Sequence, residues 1–158
     1  MTRKITPFLW FDNNAEEAMN YYVSVFEDAE VLNVSRYGEG GPGPAGTVMT
    51  ATFRLNGQEF TALNGGPQYT FTEAVSFLIE CENQEEVDYY WDKLSAGGEP
   101  GPCGWLKDQF GLSWQVIPTT LFELLQDDDP AKANRVMQAM LQITKIDVAK
   151  LKEAYEQA

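Results

Sequence analysis

The chain has 158 residues, 44% of them hydrophobic, enough for one folded unit with a substantial core. With 24 acidic residues against 11 basic ones and no histidine, the formal net charge is -13, so neither nucleic acid nor an anionic membrane is an expected partner. Two cysteines, Cys81 and Cys103, make no disulfide framework and suit a reducing cytosol, and no stretch fits an export signal or a bilayer span, so the expected location is cytoplasmic.

The aromatic run Ile5 to Phe11 predicts a strand, with Pro7 marking an edge. It stops at Asp12-Asn13-Asn14, where Asn14 and Glu17 make a capping-box pattern. Ala15, Ala18, Met19, Tyr22, Val23 and Phe26 then recur at helical spacing, so residues 14–27 are expected as an amphipathic helix. Strands follow over Glu30 to Tyr37, Thr47 to Leu55 and Gln58 to Asn64, with Asn56-Gly57 as a two-residue hairpin turn between the last two. The glycine- and proline-rich piece Tyr37 to Gly46 leads into a strand rather than a helix, which removes the anion cradle such loops otherwise form. It reads as a mobile flap over a cleft or as a plain connecting loop.

The second half repeats the first. Ala74 to Cys81 is strand-like, Asn83 with Glu86 repeats the cap, and Val87, Tyr90, Trp91 and Leu94 repeat the apolar stripe. Asn14 to Tyr22 aligns with Asn83 to Trp91 without a gap, the signature of a duplicated unit with an internal pseudo-twofold. Shorter strands follow at Glu99 to Cys103, Trp105 to Lys107 and Leu112 to Pro118, the last two joined by a turn that Asp108 begins and Gly111 closes. Gln115 is an amide in an otherwise apolar strand, either satisfied by a neighbour or turned toward a cavity. After Pro118 the pattern is helical: Thr119 or Thr120 caps Leu121 to Gln126. Asp129 caps a helix with Pro130 in its first turn and an apolar face of Val136, Met137, Met140, Leu141 and Ile143. A last helix runs from Asp147 through Val148, Leu151 and Tyr155. This tail docks either on its own sheet or on a second subunit.

The expected class is therefore α+β: two βαβββ modules joined into a curved, largely antiparallel eight-stranded sheet, helices on the convex side, a cleft on the concave side, and a helical tail. The start, Thr6-Pro-Phe-Leu-Trp-Phe-Asp12 followed by Ala15-Glu-Glu-Ala18 and Tyr21-Tyr22, and the end, Gly104-Trp-Leu-Lys-Asp108 followed by Ser113-Trp-Gln115, resemble the vicinal oxygen chelate superfamily. That is the half-barrel fold of glyoxalase I and of fosfomycin- and bleomycin-resistance proteins. Within it the chain is most similar to the PhnB-like group, often labelled 3-demethylubiquinone-9 3-methyltransferase-like. The resemblance implies a glyoxalase-like domain over residues 1–118, with module one at 5–65 and module two at 74–118, and an extension over 119–158. In metal-dependent members the ligands come from the first, fourth, fifth and eighth strands, which here means near Thr6, within 60–64, at Ser76 and at Gln115. None of these is His or an acid, so no His-based metal site and no cofactor are expected, and Glu59 and Glu80 leave open only a weak oxygen-ligated ion. Methyl transfer from S-adenosylmethionine normally uses a doubly wound sheet with a glycine loop entering a helix, and the sequence pattern has neither.

Strand parity places Thr6, Phe8, Trp10, Ser76, Leu78, Ser113 and Gln115 on the concave side, joined by Phe60 and Asn64, with Trp105, Tyr37, Arg36 and Arg54 at the rim. Aromatic rings with a few neutral polar groups make the lining of a small-molecule pocket, or of a filled interior. No catalytic residue is assigned. Cys103 has no histidine to activate it and reads as a half-buried structural thiol, and Glu59 or Glu80 would serve as a general base only if desolvated. Two functions follow: a metal-free homodimeric module that binds a small molecule, or an enzyme of the same superfamily, methyltransferase-like, lyase or isomerase, that uses a carboxylate or a weakly held divalent ion.

Overall fold

The computed structural model describes residues 5–157. Residues 1–4 of the expected 1–118 domain and residue 158 of the extension lie outside them. The chain divides into two compact units, Met1–Phe71 and Thr72–Ala158. The division falls between the two modules.

The first unit runs β1 (Phe8–Phe11), α1 (Ala15–Val25), β2 (Ala29–Arg36), β3 (Val48–Leu55) and β4 (Gln58–Asn64), with strand order β1-β4-β3-β2. The second runs β5 (Ser76–Cys81), α2 (Gln84–Ser95), β6 (Glu99–Pro100), β7 (Trp105–Lys107) and β8 (Ser113–Pro118), with order β5-β8-β7-β6. In each, the first strand lies parallel to the fourth and the other pairs are antiparallel. The βαβββ topology therefore occurs twice, as the aligned segments predict. The strands form two four-stranded mixed sheets, one in each module, the α+β architecture expected. The first strand of each module pairs with the last strand of the same module, which leaves β1 and β2, and β5 and β6, as the edge strands.

Each sheet is half covered. In the first unit Ala15, Ala18, Met19, Tyr22 and Val25 of α1 are buried over the face that carries Ala51, Phe53, Leu55 and Ala62, and Tyr22 stacks on Phe53 at 6.1 Å. Side chains of this size contribute about 1.5–3 kcal/mol each when fully buried, so this face dominates the stability of the unit. The β3–β4 corner is the two-residue turn that Asn56-Gly57 predicts, with both residues in the left-handed region (φ 47° and 83°). Entry into α1 differs from expectation. The Asn14 side chain makes no cap hydrogen bond, and the Ala15 N–H donates instead to Asn64 Oδ1 at 2.9 Å. At α2 the expected cap forms, the Glu86 N–H donating to Asn83 Oδ1 at 2.9 Å.

The tail adds α3 (Thr119–Leu125), α4 (Pro130–Met140) and α5 (Val148–Glu156). Thr119 and Thr120 lie inside α3, which starts directly from Pro118, so neither is a cap. Asp129 and Asp147 do cap α4 and α5, accepting from the N–H groups of Ala131 and Lys150. Ile117, Leu121, Val136, Ile146 and Leu151 bury one another, while Met137 and Leu141 stay exposed, so the inward stripe of α4 is narrower than its spacing suggests. The Gln84 side chain brackets the segment before α5, donating to Ile146 O and accepting from the Val148 N–H, and Lys145 pairs with Asp88 at 2.8 Å. The tail thus docks on its own second module. Among the described residues no helix is long and apolar enough to cross a membrane.

Candidate functional site

The face of the second sheet opposite Trp114 is the chemically richer one, and the tail covers its Ile117 end. Register puts Ser76, Leu78, Trp105, Lys107, Ser113 and Gln115 on one side, and Phe77, Ile79, Leu106, Trp114 and Val116 on the other, where all but Phe77 are buried. The turn that fixes this register is built on Asp108. Its buried Oδ1 accepts from the N–H groups of Phe110 and Leu112 at 2.9 and 3.1 Å, and its Oδ2 accepts from Trp114 Nε1 at 2.8 Å. Gly111 closes the corner at φ 87°, a conformation that favours glycine. Gln115 is satisfied by a neighbour, its Nε2 donating to Ser76 Oγ at 3.0 Å.

Ser113 is not satisfied. Its residue is 1% exposed, yet its Oγ has no hydrogen-bond partner. It lines a cavity of about 360 Å3 whose other walls include Glu73, Glu99, Pro100, Pro102, Cys103, Trp105 and Lys107. The Lys107 ammonium pairs with the Glu73 carboxylate, and that contact holds the Glu73 carboxyl below, and the Lys107 ammonium above, its usual range. The walls are an indole ring and prolines with the Glu73–Lys107 pair, a second carboxylate at Glu99 and one unpaired hydroxyl, the composition of a site for a mainly apolar molecule with a polar anchor.

Cys103 forms the turn between β6 and β7 and sits at φ 58°, one of two non-glycine residues in the left-handed region among those described. The other, Asn56, is in a hairpin turn that favours asparagine. A cysteine has no such preference, and the conformation costs about 1–2 kcal/mol. The tail holds it there: the Cys103 N–H donates to Ile143 O at 2.9 Å and the Gly104 N–H to Thr144 O at 2.8 Å. Sequence reasoning gives Cys103 a structural role and does not single out Glu73, Glu99, Pro100, Pro102 or Lys107. The strand expected over Glu99 to Cys103 ends at Pro100, and the turn after it brings these residues together.

In the first unit Phe8 and Trp10 lie on the uncovered face, Phe8 at 61% exposure. Thr6 precedes β1, its Oγ1 donating to Glu59 Oε2 at 3.5 Å. Trp10 is fixed by its Nε1 donating to Gly66 O at 2.8 Å and by an edge contact with Tyr69, while Gly65 lies so close beneath the ring that a Cβ there would stand 2.4 Å away. Phe60 and Asn64 do not join this face. Phe60 stacks on Phe53 at 5.6 Å in the helix-covered core, and the Asn64 amide is consumed by the Ala15 N–H and by Val48 O. The β3–β4 register sets this parity: Phe60 lies opposite Phe53, so both point to the same covered side. Arg36 and Arg54 are part of surface ion pairs with Glu16 and Glu30. The Tyr37 to Gly46 loop, expected as a flap or a connection, is pinned at its base. Tyr37 exchanges backbone hydrogen bonds with Thr47 and Gly46, and its hydroxyl donates to Asn64 O. With Asp12, Asn13, Asn64 and Gln68, the loop lines a cavity of about 460 Å3 that also includes Pro42, Pro44 and Val48.

The superfamily's metal can be tested against these positions. Thr6, Ser76, Gln115 and the 60–64 stretch offer only neutral donors, two of them already bonded to each other, and among the described residues no group of three or more Cys, Asp or Glu side chains is placed to hold an ion. That donor set does not fit a first-row metal. S-adenosylmethionine fares no better, since the glycine loop joins β2 to β3 and opens no helix. Glu59 and Glu80 are not among the residues lining the cavity at Ser113.

The family described as 3-demethylubiquinone-9 3-methyltransferase matches residues 3–117, which span both modules and stop before the tail. A PhnB protein from Bacillus cereus that bears the same methyltransferase designation is 44% identical, covering 73% of this chain and 99% of its own, with a TM-score of 0.66. PA1353 from Pseudomonas aeruginosa shares the fold at 22% identity, over 74% of this chain and 98% of its own, with a TM-score of 0.62. So does the fosfomycin resistance protein FosX from Listeria monocytogenes, at 17% identity, over 80% and 99%, with a TM-score of 0.55. No curated protein matches the chain. Duplicated βαβββ modules, the matched span and the Bacillus relative together make this chain a member of the PhnB-like 3-demethylubiquinone-9 3-methyltransferase family, on the vicinal oxygen chelate fold.

Proposed function

We propose that this protein binds a small, mainly apolar molecule in the β6–β8 pocket of its second unit and anchors one polar atom of it on Ser113, without a histidine-based metal site. One observation carries the reading: a hydroxyl buried to 1% exposure with no partner, at the wall of a cavity of about 360 Å3. Leaving such a group unpaired costs about 1–3 kcal/mol, a cost that a ligand atom seated at this wall relieves. Trp105, Pro100 and Pro102 supply the apolar walls, and the Glu73–Lys107 pair sets a polar edge.

The test is a thermal-shift screen of small aromatic ketones and amides, run with and without a chelator. Compounds that bind raise the melting temperature equally in both conditions, and Ser113→Ala abolishes the rise. Hits whose stabilisation survives that substitution, or vanishes with the chelator, defeat the reading.

A further inference from the structure

The same cavity holds a nucleophile. Cys103 lines it beside Trp105, Lys107 and Ser113, and its thiol is outside any disulfide. Its backbone is held in the left-handed region by hydrogen bonds from the tail, an arrangement that no turn preference of cysteine explains. The buried, partnerless Ser113 hydroxyl marks the same cavity independently as a place for a ligand oxygen or nitrogen. We propose that Cys103 is a covalent addition site for α,β-unsaturated carbonyl compounds, which seat in this pocket with the carbonyl oxygen accepting a hydrogen bond from Ser113. The assignment rests on the binding reading above and adds a reaction to it.

The step balances without any further reagent. The Cys103 Sγ forms a bond to the β-carbon of the enone, and the π pair of the C=C bond moves toward the carbonyl, leaving enolate charge on its oxygen. The thiol proton passes to water, and water returns one to the α-carbon. The net change is addition of S–H across C=C, with nothing oxidised or reduced. Charge grows on the oxygen that Ser113 contacts, so that hydrogen bond strengthens as the reaction proceeds. Lys107 is kept at this wall by Glu73. The second thiol is a built-in control. Cys81 is fully buried on the covered face of the sheet, and burial pushes its thiol up to about 12, with the Glu86 charge adding to the effect.

Two probes separate the claims: benzylideneacetone, a phenyl enone, and 4-phenylbutan-2-one, its saturated ketone. Intact-mass measurement on the full chain with the enone is expected to show one added probe molecule, mapped by peptide mass to Cys103 and absent in Cys103→Ser. Its rate should exceed that of free cysteine at the same pH by about tenfold or more. The saturated ketone should slow it, and Ser113→Ala should lower it by about tenfold or more while the melting temperature holds. Addition at Cys103 no faster than to free cysteine, or insensitive to the ketone and to Ser113→Ala, overturns the thiol-addition site. If the ketone still raises the melting temperature through Ser113, the binding reading stands without it. If the ketone gives no Ser113-dependent shift, both fall.

Discussion

Three side chains carry most of the information at the scale of single residues. Asp108 is a buried carboxylate whose two oxygens take three donors. Asp108→Asn puts an NH2 group where one of those acceptors stood, leaving a buried donor unpaired, and should cost about 1–3 kcal/mol in denaturant unfolding. Ser113 is its opposite, a polar group that the fold does not satisfy. Ser113→Ala should leave the unfolding midpoint unchanged or higher, since it removes a desolvated hydroxyl, and a lower midpoint would mean that the hydroxyl is satisfied in solution. Cys81 sets the alkaline limit. Its folded-state pKa, about 12, lies above the ordinary thiol value, so the neutral thiol is favoured in the fold. Stability from this group is fully present below about pH 9 and is lost as pH rises toward 12. Cys81→Ala should flatten the stability–pH curve in that window, measured by urea titration. Strand alternation makes Ser113 and Gln115 legible from sequence as neighbours on one face, but it cannot tell that Gln115 finds Ser76 while Ser113 finds nothing.

At the scale of elements, the two helix starts look alike in sequence and differ in structure. Asn83 caps α2 directly, whereas at α1 the same service comes from Asn64 on a strand distant in the chain. Asn83→Ala should therefore cost about 1 kcal/mol, the usual loss for a cap, and Asn64→Ala should destabilise by at least as much. Asn14→Ala should change stability by a few tenths of a kcal/mol or less, and thermal melts of the three variants would rank them. Long periodic segments were readable for a physical reason: α1, α2 and the β3–β4 hairpin each carry a stripe or an alternation that one local rule explains. The start of the first strand and the end of the sixth were not, because Pro7 and the Gly101 to Gly104 turn cut the ladders where the composition still looks strand-like. The parity of β4 at Phe60 and Asn64 is not legible in sequence, since an aromatic ring and an amide suit a pocket as well as a core until the register with β3 is known.

At the scale of the whole chain, duplication supplies two units with the same wiring, and the tail belongs to only one of them. Leu151→Ala opens a void in the cluster of Ile117, Leu121, Val136 and Ile146, and should cost about 2–5 kcal/mol, seen as early melting with slower addition of the enone at Cys103. Equal labelling in the variant and the parent would show that the tail does not govern that turn. The matched family span ends at residue 117, in the last strand of the second module, and the Bacillus relative covers 73% of this chain over 99% of its own length. Yet the two amides that bend the pocket rim at Cys103 and Gly104 donate to carbonyls in that appended stretch, at Ile143 and Thr144. A lineage could thus retune what the rim admits by editing a peripheral linker, leaving the inherited double module to fold as before.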